Sequence, residues 1–166
     1  MSDRDAAFAE YFAARSGAMR GTAFLLCGDW HRAEDLVQTA FTKLYTHWNR
    51  VARHESLDPY VRKVLIRTFI DDGRRGWWRR ERPQEIPVEH EAAPAPADDR
   101  LMLLQALAKV PARQRAVLVL RYFDDLSVAE AASVMGCSQG TVKSQTARGL
   151  DALRESVSHL VGRVAS

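Results

Sequence analysis

The sequence predicts an all-α protein built as two small helical domains, and three observations carry that prediction. Apolar residues recur at helical spacing in segment after segment, and no strand-like alternation persists over five residues. A stretch rich in Pro and Ala, with little to bury, then interrupts the chain after about 80 residues. The composition, 46% hydrophobic and 27% charged, is that of a globular chain and excludes disordered, collagenous and disulfide-scaffold classes.

Taken in order, Asp5 to Arg15 carries Phe8, Tyr11 and Phe12, and Met19, Ala23 and Leu26 follow. Ser16-Gly17 between them allows either two helices or one broken helix. A second helix starts near Asp29. It sets Ala33, Leu36, Val37, Ala40, Phe41, Leu44, Tyr45 and Trp48 on one stripe and Glu34, Asp35, Gln38, Thr39, Thr42 and Lys43 on the other face. Asp58-Pro59 reads as an N-cap with proline at the first helical position, opening a helix to about Asp72 that buries Val61, Val64, Leu65, Thr68 and Phe69.

Charge is unevenly distributed. The chain is only +3 overall, but Tyr60 to Arg82 holds eight bases against three acids, whereas Pro83 to Asp99 holds five acids and no Lys or Arg. A concentrated basic block attracts phosphate whatever its sequence. Trp77 and Trp78 lie inside this block and are equally suited to stacking on bases or to covering the core.

Beyond the Pro/Ala stretch, Leu101, Leu104 and Leu107 mark a helix ending at Val110-Pro111, and Gln114 to Tyr122 holds Ala-Val-Leu-Val-Leu, apolar nearly all round and hence buried. Ser127 and Glu130 form a capping box that opens Val128 to Met135, and Gly136 stops that helix. Ser138 caps the next, Gln139 to about Leu153. Two helices across a short glycine-containing turn have the proportions of a helix-turn-helix. Projection at 100° per residue turns Val142, Thr146, Gly149, Leu150 and Leu153 inward and Gly140, Lys143, Ser144, Ala147 and Arg148 outward. Such a face suits the major groove, where Lys and Arg reach guanine or phosphate.

Several classes fall away. Apolar runs are too short for a membrane-spanning helix, and Met1 to Asp5 mixes acids with a base, unlike an export signal, so a cytoplasmic protein is expected. Cys27 and Cys137 are isolated and read as reduced packing residues. His31, Glu34 and Asp35 lack a second His at helical spacing, and no phosphate loop or nucleophile–base pair occurs, so neither metal, cofactor nor enzymatic activity is expected.

These residues together resemble a bacterial RNA polymerase sigma factor of the extracytoplasmic-function class in the sigma-70-like family, consisting of regions two and four. The C-terminal resemblance rests on Val110-Pro111-x-x-Gln114-Arg115, Leu120-Arg121-Tyr122, Leu126-Ser127-x-x-Glu130-x-Ala132 and Met135 to Ser144. The N-terminal one rests on Ala33-Glu34-Asp35-Leu36-Val37-Gln38-x-x-Phe41 and the basic helix from Pro59 to Arg75.

The resemblance implies region two over 1–80, a flexible linker over 81–98 and region four over 99–166. It implies that Glu34, Asp35, Gln38 and Thr42 dock on core polymerase. Arg62, Lys63, Arg67, Arg74 and Arg75, with the loop Asn49 to Leu57, would open and read the minus-ten element as a single strand. Ser138, Gly140, Thr141, Lys143, Ser144 and Arg148 would read the minus-thirty-five element as duplex. Two departures, Arg67 where many members carry Asn and Gln145 where many carry a base, imply an unusual minus-ten preference and a lightly furnished duplex face. The implied partners are core RNA polymerase and promoter DNA, with no membrane and no small-molecule substrate; the sequence leaves an anti-sigma factor open. The alternative function is an autonomous helix-turn-helix repressor or activator binding duplex DNA as a dimer.

Overall fold

The computed structural model describes residues 2–54, 56–75 and 97–165, with the side chains of Arg74, Arg75, Ala97 and Val164 left out. Residues 81–96 of the expected linker and Trp77-Trp78 lie outside the described residues, whereas 97 and 98, expected in the linker, open helix α5, with Asp98 and Asp99 in its first turn. All regular structure among the described residues is helical: α1 (Asp3–Cys27), α2 (Trp30–Thr46), α3 (Trp48–His54), α4 (Leu57–Arg75), α5 (Ala97–Ala108), α6 (Ala112–Leu118), a π-helical turn (Val119–Phe123), α7 (Val128–Met135) and α8 (Gln139–Ala165).

Helix α1 is continuous through Ser16-Gly17, against the expected break there. An isolated helical glycine costs only about 1 kcal/mol relative to alanine, and the apolar positions on either side hold the helix in place. Met19, Ala23 and Leu26 are buried, and Phe8 packs edge-on against Phe41, Tyr45 and Trp48. Ser2 caps the start, and Gly28 ends the helix in the left-handed region at φ 71°, where a side chain is strained.

Asp29 caps α2, accepting from the His31 amide at 2.9 Å, and the expected stripe from Ala33 to Leu44 is buried. The stripe ends sooner than its periodicity indicated. Tyr45 is 41% exposed, and the helix stops at His47, so that Trp48 enters the core from α3 instead. Most of the loop expected from Asn49 to Leu57 is thus helical. Asp58 does not act as the expected N-cap either. Helix α4 begins at Leu57, two residues before the expected Pro59, and the Asp58 carboxylate turns to α1, accepting from Tyr11 Oη at 2.5 Å and Arg15 Nε at 3.1 Å.

In the C-terminal half the local signals are realised closely. Ser127 and Glu130 bond reciprocally to each other's amides at 3.1 and 3.0 Å, and Gly136 terminates α7 at φ 68°. Ser138 Oγ accepts from the Thr141 amide at 3.0 Å at the head of α8, which runs to Ala165, well beyond the expected Leu153. Gly149 sits where α8 crosses α6: a Cβ there would lie 3.1 Å from Leu118 Cδ1 and Cγ. Val119–Phe123 widens into a π turn, with the Asp124 amide reaching back to Val119 O at 3.0 Å, and Asp125 follows at φ 56°.

The halves touch. One cluster of buried side chains runs from Met19 through Leu44, Val61 and Phe69 into Ala116, Leu120, Ala132 and Val142. Burying each side chain of Leu or Phe size contributes roughly 1.5–3 kcal/mol, so a shared cluster stabilises the packed arrangement as well as each half.

Candidate nucleic-acid and polymerase interfaces

The outer face of α2 carries the four residues expected to dock on a partner. Asp35, Gln38 and Thr42 are exposed, while Glu34 is half-buried and pairs with Arg20 of α1 at 2.5 Å. The opposite stripe is anchored in the core, so this face is held rigidly outward. Burial of Leu36, Val37, Ala40 and Phe41 fixes the rotation of α2 and hence the direction of the polar row.

The basic face of α4 divides. Lys63 and Arg67 are exposed. Arg62 is not: its side chain is 14% accessible, and its Nε donates to Asp124 Oδ2 at 3.1 Å across the boundary between the halves. Arg74 and Arg75 end the helix, with side chains outside the described set. The expected site is therefore continuous as a helix face but interrupted as a charge surface.

On α8, Gly140, Thr141, Lys143, Ser144 and Arg148 are exposed, as is the capping Ser138, while Val142 is fully buried and Gly149 is buried. Ser138 Oγ and Thr141 Oγ1 lie 2.9 Å apart, and Ser144 Oγ donates to the Thr141 carbonyl at 3.1 Å. Those hydroxyls satisfy the helix start, leaving the Lys143 and Arg148 cations extended to solvent. A helix N-terminus with exposed bases offers both amide donors and positive charge to phosphate.

Arg115 was absent from the expected site residues, although it was read as part of a sequence pattern. Its guanidinium donates to Leu26 O of α1 at 2.6 Å and to Val110 O and Ala108 O of its own half, and it lies over the Phe69 ring of α4. It thereby supplies a cation to the C-terminal turn of α1, where carbonyls lack partners. Burial pushes it down to about 10. Among the described residues no group of three or more His, Cys, Asp or Glu side chains could hold a metal ion, and no helix is long and apolar enough to cross a membrane.

Comparison with known proteins decides what this pair of faces belongs to. Residues 12–79 match the family Sigma-70 region 2 and residues 100–153 match Sigma-70, region 4. The RNA polymerase sigma-E factor of Streptomyces avermitilis is 36% identical over 154 residues, covering 89% of this chain and 83% of the relative. The chain belongs to the sigma-70 family of RNA polymerase sigma factors. Similarity extends to the extracytoplasmic-function sigma factor SigW of Bacillus subtilis, 28% identical over 153 residues, covering 82% of this chain and 81% of SigW. The solved structure of the sigma factor RpoE from Bartonella quintana, in complex with the anti-sigma factor NepR, superposes with a TM-score of 0.71 at 26% identity, covering 91% of this chain and 96% of that one.

Family membership accounts for features of this sigma factor that bulk chemistry left open. The polar row of α2 and the basic rows of α4 and α8 sit in the two matched regions. What sequence reasoning missed were the contacts between the regions, Thr22, Asp124 and Arg115 above all. Each is an ordinary polar residue, and nothing local marks a hydrogen-bond partner 62 to 102 positions away.

Proposed function

We propose that this sigma factor joins core RNA polymerase through Glu34, Asp35, Gln38 and Thr42 on α2 and directs it to promoters read at two places. Residues 1–80 form the minus-ten unit and, beyond the linker that starts at 81, the helices from α5 onward form the minus-thirty-five unit. The observation that carries this reading is the coexistence, on one chain, of a rigidly presented polar row and two separate basic helix faces, each inside a matched sigma region.

Lys63 and Arg67 on α4, continued by Arg74 and Arg75, suit the backbone of a melted strand, and arginine at 67 adds a phosphate contact. On α8, Lys143 and Arg148 reach the duplex while Ser138, Gly140, Thr141 and Ser144 allow the helix start to approach the groove closely. The chain itself performs no chemistry; polymerase does. Two weak readers tethered to one platform gain effective concentration, so neither needs high affinity alone. An anti-sigma factor is a further partner, supported by the likeness to a sigma factor solved with one.

Gel filtration with sigma-free core polymerase tests the reading. The wild type is expected to co-elute stoichiometrically, and Asp35→Arg with Gln38→Ala to elute free. A wild type that ignores core yet binds duplex DNA as a dimer would instead establish the autonomous repressor.

A further inference from the structure

Exposed aromatic rings collect around the polar row of α2. Of the seven large apolar side chains that stay exposed among the described residues, three, Phe12, Trp30 and Tyr45, lie along the one seam between α1 and α2. At about 100° per residue, Trp30, Glu34, Gln38 and Tyr45 share one side of α2, with Thr42 and Asp35 next around the helix. Helix α1 runs antiparallel beside them, with Phe24 on Trp30, Arg20 on Glu34 and Phe12 on Phe41.

The three rings are not equivalent. Tyr45 is already engaged: its hydroxyl donates to Asp5 at 2.8 Å, and the Arg4 guanidinium lies 4.7 Å from its ring centre. Trp30 is the first residue of α2, after the left-handed turn at Gly28 and the Asp29 cap, and it folds back flat on Phe24. The two ring centres are 4.0 Å apart with planes 11° off parallel, which leaves Trp30 50% exposed. Phe12, 41% exposed, is braced by Phe8 and Phe41 with ring centres 6.2 and 5.0 Å away. Rings held in this way lose little freedom when a partner covers them. Between Phe12 and Arg20 the helix carries Ser16 and exposed Gly17, and nothing lies within 4 Å of a Cβ at Gly17, so a partner can approach closely.

The polar row alone is poorly furnished for tight docking. Glu34 is already paired with Arg20, which leaves Asp35 beside neutral Gln38 and Thr42. Charged and polar groups set register and encounter rate, whereas affinity concentrates in a few desolvated side chains, tryptophan foremost. We infer that Trp30 and Phe12 are the apolar anchors by which core polymerase holds the α2 row. The inference rests on the docking reading of α2 given above, and the row's continuity with both rings names the occupant, because a partner seated on Gln38 and Asp35 covers them. The polymerase surface opposite then carries two apolar contacts about 16 Å apart, the rise of α2 from Trp30 to Phe41 at about 1.5 Å per residue.

The test titrates fluorescently labelled full chain with sigma-free core polymerase at low and high salt, as wild type, Trp30→Ala, Trp30→Phe, Phe12→Ala and Asp35→Arg, and records each melting temperature. Trp30→Ala is expected to weaken binding about 30-fold and Phe12→Ala about tenfold, with Trp30→Phe recovering most of the loss. These ratios are expected to hold across salt, whereas that of Asp35→Arg shrinks as its charge is screened. Trp30→Ala is expected to melt within about 3 °C of wild type, which a merely structural role for the stack would not allow. A Trp30→Ala chain that binds as wild type does, or a Trp30→Phe chain as weak as Trp30→Ala, overturns the inference. Should Trp30→Ala lose helix content by circular dichroism, Trp30→Arg decides, since its stem still covers Phe24: weakened binding at wild-type helix content sustains the anchor, and unchanged binding overturns it. Failure of the docking reading would appear separately, as wild type that does not bind core or Asp35→Arg that binds equally well, and would take the inference with it.

Discussion

The Tyr11 hydroxyl donates to Asp58 Oδ1 at 2.5 Å, and the same carboxylate takes Arg15 through Nε and Nη2 at 3.1 Å each. This triad ties α1 to the first turn of α4. Burial first, then the hydrogen bond to Asp58, pushes the Tyr11 phenol above its usual value of 10. A raised folded-state value means that its contribution is fully present below pH 10 and is lost as pH rises past it. Tyr11→Phe is expected to lower stability by about 2 kcal/mol, as for a hydrogen bond to a charged acceptor. It should also remove the highest-titrating component from the tyrosinate absorbance of the four tyrosines. Urea unfolding and absorbance titration check the two effects.

Two glycines inside helices respond oppositely to enlargement. Nothing lies within 4 Å of a Cβ at Gly17, whereas one at Gly149 meets Leu118 at 3.1 Å and Gln114 Cβ at 3.4 Å. Gly17→Ala is expected to stabilise by about 0.5–1 kcal/mol through helix propensity. Gly149→Leu drives a branched side chain into buried Leu118 and is expected to cost about 2–3 kcal/mol. Thermal unfolding of both variants gives the signs, and a Gly149→Leu chain as stable as wild type would show that α6 and α8 do not cross here.

The capping box of α7 sets an acid sensitivity. Glu130 lies below the usual carboxylate range because it accepts from the backbone and then the side chain of Ser127. A depressed folded-state value means that its stabilisation is present above about pH 4.5 and is lost as pH falls through the folded value. Ser127→Ala is expected to cost about 1 kcal/mol, and Glu130→Gln to flatten the fall in melting temperature between pH 5 and 3.

The proposed reading of α8 gives Lys143 and Arg148 separable duties on duplex DNA. Lys143→Ala is expected to weaken binding and, where the contact is to phosphate, to reduce the salt slope by about 0.9. If Arg148 contacts a base edge, Arg148→Ala should cost about 1–3 kcal/mol on the preferred sequence and little elsewhere. Fluorescence titrations of the two variants on matched and scrambled duplexes distinguish the roles.

Much of this molecule was legible because its signals are local. The capping box, the turn glycine and the inward run from Val142 to Leu153 were readable from neighbours three or four residues away, and they occur as read. The polar row of α2 was legible as a face, but its meaning came only with the family resemblance. Asp58 illustrates the opposite case: its sequence is that of an N-cap, yet a tyrosine and an arginine on α1 offered the carboxylate better partners than an amide. The contact between the halves was illegible for the same reason. Thr22, Arg62 and Asp124 meet through the tertiary packing of α1, α4 and the π turn, and no spacing along the chain encodes that meeting.

The central claim is that this chain gives polymerase a promoter preference, and sequencing the 5′ ends of RNA made in vitro tests it most directly. Core polymerase, with and without the chain, would transcribe fragmented bacterial genomic DNA. The account predicts a discrete set of new start sites that share two upstream motifs and disappear when Asp35→Arg replaces wild type. Start sites identical to those of core alone would contradict it.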